Sequence, residues 1–319
     1  MSESETGWNL HHGDVRDVLP RLDSASVDCC VTSPPYWGLR DYGVDGQLGL
    51  EPTPAEYVEN MVRVFCEVRR VLKDDGTLWL NLGSSYMGGG GGNYGDGVSN
   101  RIDGQHLTNV RNRPDFIEAS GFKAKDLVPI PWMLAMALQA DGWYLRSDII
   151  WHKPNPMPES VTDRPTKAHE YLFLMSKSER YYYDKDAIAD PALNAGKVLD
   201  YTQDQKANDA DGDLQRTLPK GRLITVAALR NKRTVWTICS EPYAGAHFAV
   251  MPTALVKPCV LAGCRTGGTV LDPFTGSGTV GLVAMEHGCN FVGVELNPEY
   301  VKMATARLKA ASNQTRLFT

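Results

Sequence analysis

The sequence lacks any apolar run of the length that a membrane span requires. A transmembrane helix needs about 20 consecutive apolar residues, and no stretch of the 319 residues approaches that length. The first six residues are acidic and lack the apolar core of a secretory signal. We therefore expect a cytoplasmic protein, and its 42% of hydrophobic residues is ample for a globular core.

Cysteine pairs with the spacing of metal ligands are also lacking. Seven cysteines occur, an odd number, and none forms a Cys-x-x-Cys pair. The adjacent His11 and His12 would point to opposite faces of a strand, which is not a metal-binding pattern. We therefore predict no metal site. Buried free thiols are expected where cysteines lie among apolar or small residues, namely at Cys29, Cys30, Cys259, Cys264 and Cys289.

An excess of positive charge is lacking as well. The net charge of −5 argues against a protein that coats nucleic acid through its overall charge. It does not exclude a nucleic-acid enzyme, because local patches decide binding, although a basic cluster is often only a solvated face. Basic residues are concentrated in two segments, with Arg101, Arg111, Arg113, Lys123 and Lys125 in the first and Lys220, Arg222, Arg230, Lys232 and Arg233 in the second.

Strand and helix patterns alternate along the chain. Compact apolar runs predict strands at residues 27–32, 77–82, 143–151, 170–176, 269–271 and 291–295, with a turn at 74–76. Apolar residues at helical spacing predict helices at 54–72, 129–140, 278–287 and 298–310. A glycine-dense stretch at 87–97 and a polar stretch at about 190–213 predict irregular segments. The alternation predicts an α/β fold with a doubly wound, mostly parallel sheet.

A glycine-rich turn follows the strand predicted at 269–271. It reads Asp272-Pro273-Phe274-Thr275-Gly276-Ser277-Gly278-Thr279, with glycines where a backbone must approach a ligand closely and a helix must start. The next predicted strand ends in Glu295, and a carboxylate there can accept both hydroxyls of a ribose. The turn matches neither the G-x-G-x-x-G fingerprint of dehydrogenases nor a Gly-Lys-Ser/Thr phosphate loop. It predicts a site for a nucleoside ligand that needs no phosphate cradle.

A second motif, Thr32-Ser33-Pro34-Pro35-Tyr36-Trp37, ends the strand predicted at 27–32. This rigid, polar-then-aromatic platform can hold a planar amine. Such an amine is a poor nucleophile when its lone pair is delocalised into a ring, so catalysis on it needs acceptors that favour a tetrahedral nitrogen. Ser33 Oγ and the Pro34 carbonyl can supply two acceptors, and the consecutive prolines hold that carbonyl still. Tyr36 offers a face on which a planar ring can stack. Alone, the motif would be read as a common proline-stiffened loop.

Together the two motifs resemble those of the DNA amino-methyltransferases, which methylate the exocyclic nitrogen of cytosine or adenine. The platform (residues 33–36) comes first and the cofactor turn (residues 272–279) last, which is the permuted order of the family's beta class. Residues 32–43, 143–158 and 169–178 also look like family segments. The resemblance implies S-adenosylmethionine as cofactor. It also implies a Rossmann-like methyltransferase sheet, circularly permuted, with an inserted target-recognition region.

The resemblance assigns roles to individual residues. The platform residues Ser33, Pro34, Pro35 and Tyr36 would be catalytic. Asp14 is similar to the family's acid near the adenine, although the same residue is also a common turn-former. The expected cofactor-binding residues are Asp14, Phe248, Pro252, Leu255, Asp272, Pro273, Phe274, Gly276, Ser277, Gly278, Thr279, Glu295 and Asn297.

The same resemblance divides the chain into three parts. Residues 1–177 would form the catalytic half of a methyltransferase domain, with a glycine-rich insertion at about 86–125. Residues 178–235 would be the target-recognition region, and residues 236–319 the S-adenosylmethionine-binding half. Basic residues of the insertion and of the target-recognition region would bind DNA, some by anchoring phosphates and others by reading base edges. The candidates are Arg101, Arg111, Arg113, Lys220, Arg222, Arg230, Lys232 and Arg233.

The expected function is site-specific methyl transfer to cytosine N4 in double-stranded DNA. Ser-Pro-Pro-Tyr is the form associated with cytosine N4 and Asp-Pro-Pro-Tyr the usual adenine form, so adenine N6 is the alternative. Cytosine C5 methylation needs a cysteine nucleophile, and Cys30 lies within a predicted strand. An RNA or protein-amide methyltransferase and a non-catalytic DNA-binding regulator are further alternatives. A homodimer and a cognate restriction endonuclease are partners that the resemblance admits.

Overall fold

The computed structural model describes residues 7–39, 41–88, 100–102, 105–107, 114–156, 158–200, 223–225, 227–241 and 251–315. Two compact units emerge from the contacts among them. The larger unit contains the residues up to Tyr183 together with those from Thr234 onward, and the smaller unit is Asp184–Arg233. Five residues of the predicted site lie outside the described residues, namely Arg111, Arg113, Lys220, Arg222 and Phe248.

An eight-stranded sheet runs through the larger unit. Its strands, numbered in chain order, are β1 (Trp8–His12), β2 (Val27–Thr32), β3 (Leu72–Leu82), β4 (Tyr144–His152), β5 (His169–Ser176), β6 (Val235–Thr237), β7 (Thr269–Asp272) and β8 (Asn290–Glu295). Across the sheet their order is β1-β8-β7-β2-β3-β5-β4-β6. The strand that leads into the platform, β2, therefore lies beside β7, which leads into the cofactor turn.

Most neighbouring strands of this sheet are parallel. Parallel pairing joins β1 to β8, β8 to β7, β7 to β2, β2 to β3, and β4 to β6. Strand β5 is antiparallel to both of its neighbours, β3 and β4. The doubly wound, mostly parallel sheet is thus confirmed. The carboxyl ends of its parallel strands share one edge, which is where open α/β sheets bind ligands.

Helices cover both faces of the sheet. They are α1 (Val15–Val18), α2 (Pro54–Val71), α3 (Pro114–Ser120), α4 (Ile130–Ala140), α5 (Thr253–Gly263), α6 (Thr279–Glu286) and α7 (Pro298–Thr315), with a 3₁₀ turn at Leu19–Arg21. Cys30 of β2 belongs to the apolar cluster that contains Tyr57 and Phe65 of α2. Helix α5 packs closely against Cys29 of the same strand, because a Cβ added to Gly263 of α5 would lie only 2.7 Å from the Cys29 Sγ. Because adjacent strand residues point to opposite faces, α2 and α5 lie on opposite sides of the sheet.

Helix α2 illustrates how local sequence sets these elements. Thr53 caps its start, accepting a hydrogen bond from the Glu56 N–H at 3.2 Å, and Pro54 occupies the first turn. Apolar residues at helical spacing, including the fully buried Met61 and Phe65, face the core. The helix is thus fixed by a capped start and one apolar face.

Strand β3 is longer than the sequence predicts. It begins at Leu72, so the Asp74-Asp75-Gly76 segment, predicted to be a turn, is part of the strand. Opposite this segment the pairing register with β2 shifts, which marks a bulge. Asp75 is held by distant partners, because Arg265 Nη2 lies 2.8 Å from its carboxylate and Tyr182 N–H donates to its carbonyl. These tertiary contacts override the local preference for a turn.

Four short antiparallel strand pairs complete the described structure. In the larger unit, Ser85–Tyr86 pairs with Leu127–Val128 and Asn100–Ile102 with Gln105–Leu107. In the smaller unit, Asp190–Pro191 pairs with Leu229–Arg230 and Val198–Asp200 with Leu223–Thr225. The polar stretch expected to be irregular therefore contains strands, and its residues 201–213 lie outside the described residues, as do residues 89–97 of the glycine-dense stretch.

The five cysteines expected to be buried free thiols are buried and free in the structure, namely Cys29, Cys30, Cys259, Cys264 and Cys289. The other two cysteines, Cys66 and Cys239, are free and exposed.

Within the described part of the chain, no cluster of His, Cys, Asp and Glu is arranged to hold a metal ion. No helix among the same residues has the length and apolarity needed to cross a membrane.

Candidate active site

A cavity of about 230 Å³ lies at the carboxyl edge of the sheet. The platform and the cofactor turn are far apart in sequence, yet both line it, because β2 and β7 are neighbours. Most of the predicted site residues therefore line one cavity. Those on its wall are Asp14, Ser33, Pro34, Pro35, Tyr36, Asp272, Pro273, Phe274, Gly276, Ser277, Thr279, Glu295 and Asn297.

Three other expected cofactor residues that the structure describes are not among those on this wall. Pro252 precedes the first turn of α5 and Leu255 is fully buried within that helix. Gly278 caps the start of α6 in a left-handed conformation with φ +83°, where a Cβ would lie 3.1 Å from the Cβ of Ala304. Glycine is required there for both the backbone conformation and the close packing. Gly278 therefore shapes the end of the cofactor turn, whereas a cofactor contact of Pro252 and Leu255 stays a prediction.

Asp272 joins the two motifs. Its Oδ1 accepts hydrogen bonds from the Thr32 hydroxyl at 2.7 Å and from the Phe274 backbone N–H at 3.1 Å. Since Thr32 ends β2, the first bond ties the cofactor turn to the strand that leads into the platform. Burial raises the pKa of Asp272 to about 7, the two hydrogen bonds oppose this, and the charge of Glu295 adds to it. The cavity therefore contains a carboxyl group that titrates near neutral pH.

Glu295 is held through both of its carboxylate oxygens. Oε2 accepts the Gly276 backbone N–H at 2.8 Å, and Oε1 accepts the Asn297 backbone N–H at 2.8 Å. Burial raises the pKa of Glu295, and these backbone hydrogen bonds partly offset it. A carboxylate oxygen has about two acceptor sites, so each oxygen can accept one more hydrogen bond from a ligand hydroxyl. This geometry fits a ribose-binding role.

Asp14 is occupied by a local partner. Its carboxylate caps α1 by accepting the Arg16 backbone N–H at 2.8 Å and forms an ion pair with the Arg16 guanidinium at 2.5 Å. Burial works to raise the pKa of Asp14, but the hydrogen bonds and charge of Arg16 outweigh it and hold that pKa below its usual value. Arg16 Nη2 also donates to the Gly46 carbonyl at 2.8 Å. The pair thus fastens a loop that lines the cavity through Tyr42, Val44, Gly46, Gln47 and Leu48.

The platform is braced by the core beneath it. Tyr57 of α2 donates its hydroxyl proton to the Pro35 carbonyl at 2.8 Å. Trp37, which is 1% exposed, donates its Nε1–H to the Glu51 carbonyl at 2.9 Å. These bonds fix the backbone on both sides of Tyr36. They hold the platform rigidly against the cavity.

The Tyr36 hydroxyl meets a polar cluster that the motif alone does not predict. It donates to Glu170 Oε2 at 2.7 Å and lies 3.3 Å from Asn81 Oδ1 and 3.5 Å from Ser33 Oγ. Lys153 Nζ forms an ion pair with Glu170 Oε1. Burial raises the pKa of Tyr36 well above its usual value, and the charge of Glu170 raises it further. The phenol therefore stays protonated at neutral pH.

Sequence analysis missed Asn81, Lys153 and Glu170, although all three line the cavity. Asn81 lies in β3, Lys153 directly follows β4, and Glu170 lies in β5. The polar Asn81 stands out in an otherwise apolar run, and a buried polar residue is a signal that could have found it. Lys153 and Glu170 carry no such local signal, because only the antiparallel pairing of β4 and β5 brings them together.

The predicted DNA-binding residues that the structure describes lie in a short hairpin of the larger unit and in the smaller unit. Arg101 is in the hairpin strand Asn100–Ile102. The others that the structure describes, Arg230, Lys232 and Arg233, belong to the smaller unit. There Arg230 lies opposite Asp190 in an antiparallel strand pair, and Lys232 Nζ lies 3.2 Å from the Asp190 carboxylate. Their contact with DNA stays a prediction.

Comparison with known families gives a match over most of the chain. The model of the family N6_N4_Mtase, described as DNA methylase, matches residues 27–306. That span includes the platform, the cofactor turn and the residues between them. The chain belongs to this family.

Type II methyltransferases of bacteria are similar to this DNA methylase over nearly its whole length. M.Cfr9I of Citrobacter freundii is 48% identical over 303 residues, which cover 95% of this chain and 88% of that protein. M.SmaI of Serratia marcescens is 49% identical over 296 residues, which cover 93% of this chain and 89% of that protein. The DNA methylase is therefore of the type II, N4/N6 kind.

Solved structures of DNA methylases share its fold. TTHA0409 of Thermus thermophilus, solved in complex with S-adenosyl-L-methionine, has a TM-score of 0.56 at 25% identity and covers 95% of this chain and 94% of its own. The cytosine-N4-specific PvuII DNA methyltransferase has a TM-score of 0.62 and covers 98% and 96%, and its 17% identity shows the fold alone. The Rossmann-like methyltransferase fold with permuted motif order is thereby confirmed.

Proposed function

We propose that this DNA methylase transfers a methyl group from S-adenosylmethionine to the N4 amine of a cytosine flipped out of duplex DNA. The observation that supports it most is that Ser33 of the platform and Glu295, at the end of β8, line one cavity. A nucleoside cofactor held at Glu295 and a base amine held at Ser33 would then be neighbours. Methyl transfer depends on that proximity, because alignment of the reacting groups accounts for much of the barrier in such reactions.

The cofactor side suits a cationic nucleoside. S-adenosylmethionine supplies a methyl group on a positively charged sulfur. The wall offers the carboxyl groups of Asp272 and Glu295, while the cofactor turn contains no lysine or arginine to hold a phosphate. Glu295 would accept the ribose hydroxyls with the lone pairs that its two backbone hydrogen bonds leave available. TTHA0409, which was solved with S-adenosyl-L-methionine, supports this assignment.

The platform side would make the amine nucleophilic. Ser33 Oγ and the Pro34 carbonyl would accept the hydrogens of the amine and so favour a tetrahedral nitrogen with an available lone pair. The Tyr57 hydroxyl donates to the Pro35 carbonyl, which holds the backbone next to Pro34 in place. The ring of Tyr36 lines the cavity and would stack on the flipped base.

The target base is assigned from the first residue of the platform. Serine at position 33 favours cytosine N4, and the cytosine-N4-specific PvuII enzyme shares the fold. Adenine N6 is the second candidate, because the matching family is named for both amines. The same acceptors serve either amine, so the choice between the bases changes the substrate but not the chemistry.

Target recognition is proposed for residues 178–235, most of which form the smaller unit. Arg230, Lys232 and Arg233 would anchor phosphates of duplex DNA or read guanine edges there. Lys220 and Arg222 would contribute from the same region, and Arg101, Arg111 and Arg113 from the glycine-rich insertion. Localised basic segments of this kind reconcile DNA binding with the net charge of −5.

The test is direct identification of the product. The protein is incubated with S-adenosylmethionine and unmethylated DNA, the DNA is digested to nucleosides, and mass spectrometry identifies the methylated one. We expect N4-methylcytosine. N6-methyladenine would keep the mechanism and change the base, whereas no methylated nucleoside across varied DNA would contradict the proposal and favour an RNA or protein substrate or a silent DNA-binding regulator.

The catalytic assignment is tested by Ser33→Ala. Loss of one hydrogen-bonding group at a reaction centre costs roughly 100- to 1,000-fold in kcat, and we expect that loss with an unchanged Kd for S-adenosylmethionine. Ser26→Ala is the matched control, since Ser26 is exposed and its hydroxyl, in the described contacts, donates only to the nearby Asp23 carbonyl. Wild-type turnover by the Ser33 variant would remove Ser33 from the mechanism.

A further inference from the structure

Glu170 is a carboxylate that the proposed methyl transfer does not yet use. It lines the cavity, and only 16% of its side chain is exposed. Its Oε1 pairs with Lys153 Nζ, and its Oε2 accepts the Tyr36 hydroxyl proton at 2.7 Å. Burying a charge is costly unless it is paired and hydrogen-bonded. The arrangement is therefore a built network, with a cation at one end and a platform residue at the other.

The network fixes which way the Tyr36 hydroxyl points. An ionised carboxylate can only accept, so Tyr36 must donate to Glu170. Asn81 adds a second constraint, because its Nδ2 donates to the Tyr171 backbone carbonyl at 3.0 Å. Its Oδ1 therefore faces the Tyr36 hydroxyl at 3.3 Å, and this oxygen is also an acceptor. The single proton of Tyr36 is thus directed to Glu170 and Asn81.

The orientation of the Tyr36 hydroxyl also fixes the direction of the hydrogen bond between Ser33 and Tyr36. Because its proton is committed, the Tyr36 oxygen can only accept, and the Ser33 hydroxyl is the donor in their 3.5 Å contact. This contact is long, as catalytic hydrogen bonds often are before substrate binds. A serine hydroxyl has one proton and two lone pairs. With its proton directed to Tyr36, Ser33 presents only acceptor sites to a base in the cavity.

We propose that Glu170 is a positioning residue that makes Ser33 an obligate acceptor, so that the site selects a base with an exocyclic amine over its keto analogue. The proposal rests on the methyl transfer proposed above. An amine donates to an acceptor, whereas the carbonyl that replaces it after deamination brings a second acceptor against Ser33. Unpaired polar contacts in a buried site weaken binding strongly. The selection therefore excludes deaminated bases from the platform.

Close packing at Gly83 holds Tyr36 and Glu170 together, which supports this role. A Cβ on Gly83, directly after β3, would lie 2.9 Å from Cε2 of Tyr36 and 3.3 Å from Cγ of Glu170. The absence of a side chain at position 83 lets the tyrosine and the carboxylate meet. Asn81 and Glu170 come from adjacent antiparallel strands, and Lys153 follows the next strand, so the donors and acceptors are set by the sheet itself.

The test compares binding of an amino base and its keto analogue. Duplexes carry the mapped target site with either the target base or its deaminated form, uracil for cytosine or hypoxanthine for adenine. In every duplex this base stands opposite an abasic site, so that unpairing costs do not differ. S-adenosylhomocysteine replaces the methyl donor to prevent turnover, and fluorescence anisotropy gives each Kd. We expect the wild type to bind the amino base about tenfold more tightly, the ratio that corresponds to one net hydrogen bond.

Glu170→Gln should abolish this preference. The amide can present its NH₂ to Tyr36, which leaves only the more distant Asn81 Oδ1, at 3.3 Å, to accept from the phenol. Tyr36 can then donate to Ser33 instead, and Ser33 can donate to the keto oxygen. We expect the Kd ratio to fall to within about twofold of unity. Tyr36→Phe keeps the ring but frees the Ser33 proton, so it should have the same effect even where Glu170→Gln fails to fold. Glu179→Gln, with a side chain 75% exposed, is the matched control and should keep the wild-type ratio.

The outcomes separate the proposal from the function on which it rests. Glu170→Gln and Tyr36→Phe variants that retain the tenfold preference while kcat falls would show a merely structural network and overturn the proposal. A wild type that methylates DNA but binds both bases equally would overturn it and leave the function standing. A wild type that methylates no DNA would overturn both. Loss of the preference in both variants, but not in the control, supports it.

Discussion

The cofactor turn and the platform line the same cavity but are held in place differently. The cofactor turn is stabilised by bonds within itself and to the next strand, since the Phe274 N–H donates to Asp272 and the Gly276 N–H donates to Glu295 at the end of β8. The platform depends on a helix and on a distant strand, with Tyr57 of α2 beneath Pro35 and Glu170 of β5 against Tyr36. One region is a local element on a pair of strands, and the other is assembled by the whole sheet.

This difference predicts that damage to the two regions should have separable effects. Changes at the cofactor turn should alter the Kd for S-adenosylmethionine. Changes to the braces of the platform should alter kcat and leave that Kd intact. Asp272 is the exception, because its hydrogen bond to Thr32 joins the two regions.

Glu295→Gln should give the largest effect on the cofactor side of this comparison. The amide replaces one carboxylate oxygen with an NH₂ group, which faces a backbone N–H of Gly276 or Asn297 instead of accepting from it. Hydrogen bonds to a charged group contribute about 1.5–3 kcal/mol, so the Kd for S-adenosylmethionine should rise roughly 10- to 100-fold. Isothermal titration calorimetry measures it, and kcat at saturating cofactor should change far less.

Glu299→Gln is the matched control for that variant. Its side chain is 71% exposed and pairs with Lys302 on the surface of α7, so the Kd should equal that of the wild type. An unchanged Kd in Glu295→Gln would contradict the ribose-binding role of Glu295. A fall in kcat larger than the rise in Kd would contradict the separation of the two regions.

The same difference explains what the sequence predicted and what it did not. Glycines, a following helix and a carboxylate one strand later mark the cofactor turn locally, so the sequence predicts residues that the structure places on the cavity wall. Lys153 and Glu170 were missed, because their role depends on the antiparallel pairing of β5, which no local pattern encodes. The first half of β3 was missed for a related reason. Its Asp-Asp-Gly composition favours a turn, and distant contacts of Asp75 override that preference.

Asp272→Asn should change how stability depends on pH. The pKa of Asp272 is raised to about 7 from 3.8, chiefly by burial. The folded state therefore holds a proton that the unfolded state releases, and the contribution of Asp272 to stability is full at low pH and is lost as pH rises from about 4 to about 7. The free energy of unfolding should fall by up to about 1.4 kcal/mol per pH unit more steeply in the wild type than in the variant.

Urea unfolding at pH values between 4.5 and 7.5, chosen to span roughly the interval between the two pKa values, checks this slope. Asparagine keeps a carbonyl oxygen that can accept from Thr32 and Phe274, so the variant changes the titration more than the contacts. Asp23→Asn, at an exposed position, is the control and should keep the wild-type slope. Parallel slopes for the wild type and Asp272→Asn would contradict a raised pKa at Asp272.

Tyr57→Phe should have the smallest effect and tests the brace of the platform. It removes the hydroxyl that donates to the Pro35 carbonyl and leaves the buried ring in place. One hydrogen bond contributes about 0.5–1.5 kcal/mol to stability. The fall in kcat should stay below the roughly 100-fold that an ångström of misplacement costs. The Kd for S-adenosylmethionine should be unchanged, and Tyr144→Phe, at an exposed tyrosine, should change none of these values.

A rise in the Kd of Tyr57→Phe as large as its fall in kcat would show that the two regions are held together as one element. The contrast between a local turn and an assembled platform would then not hold.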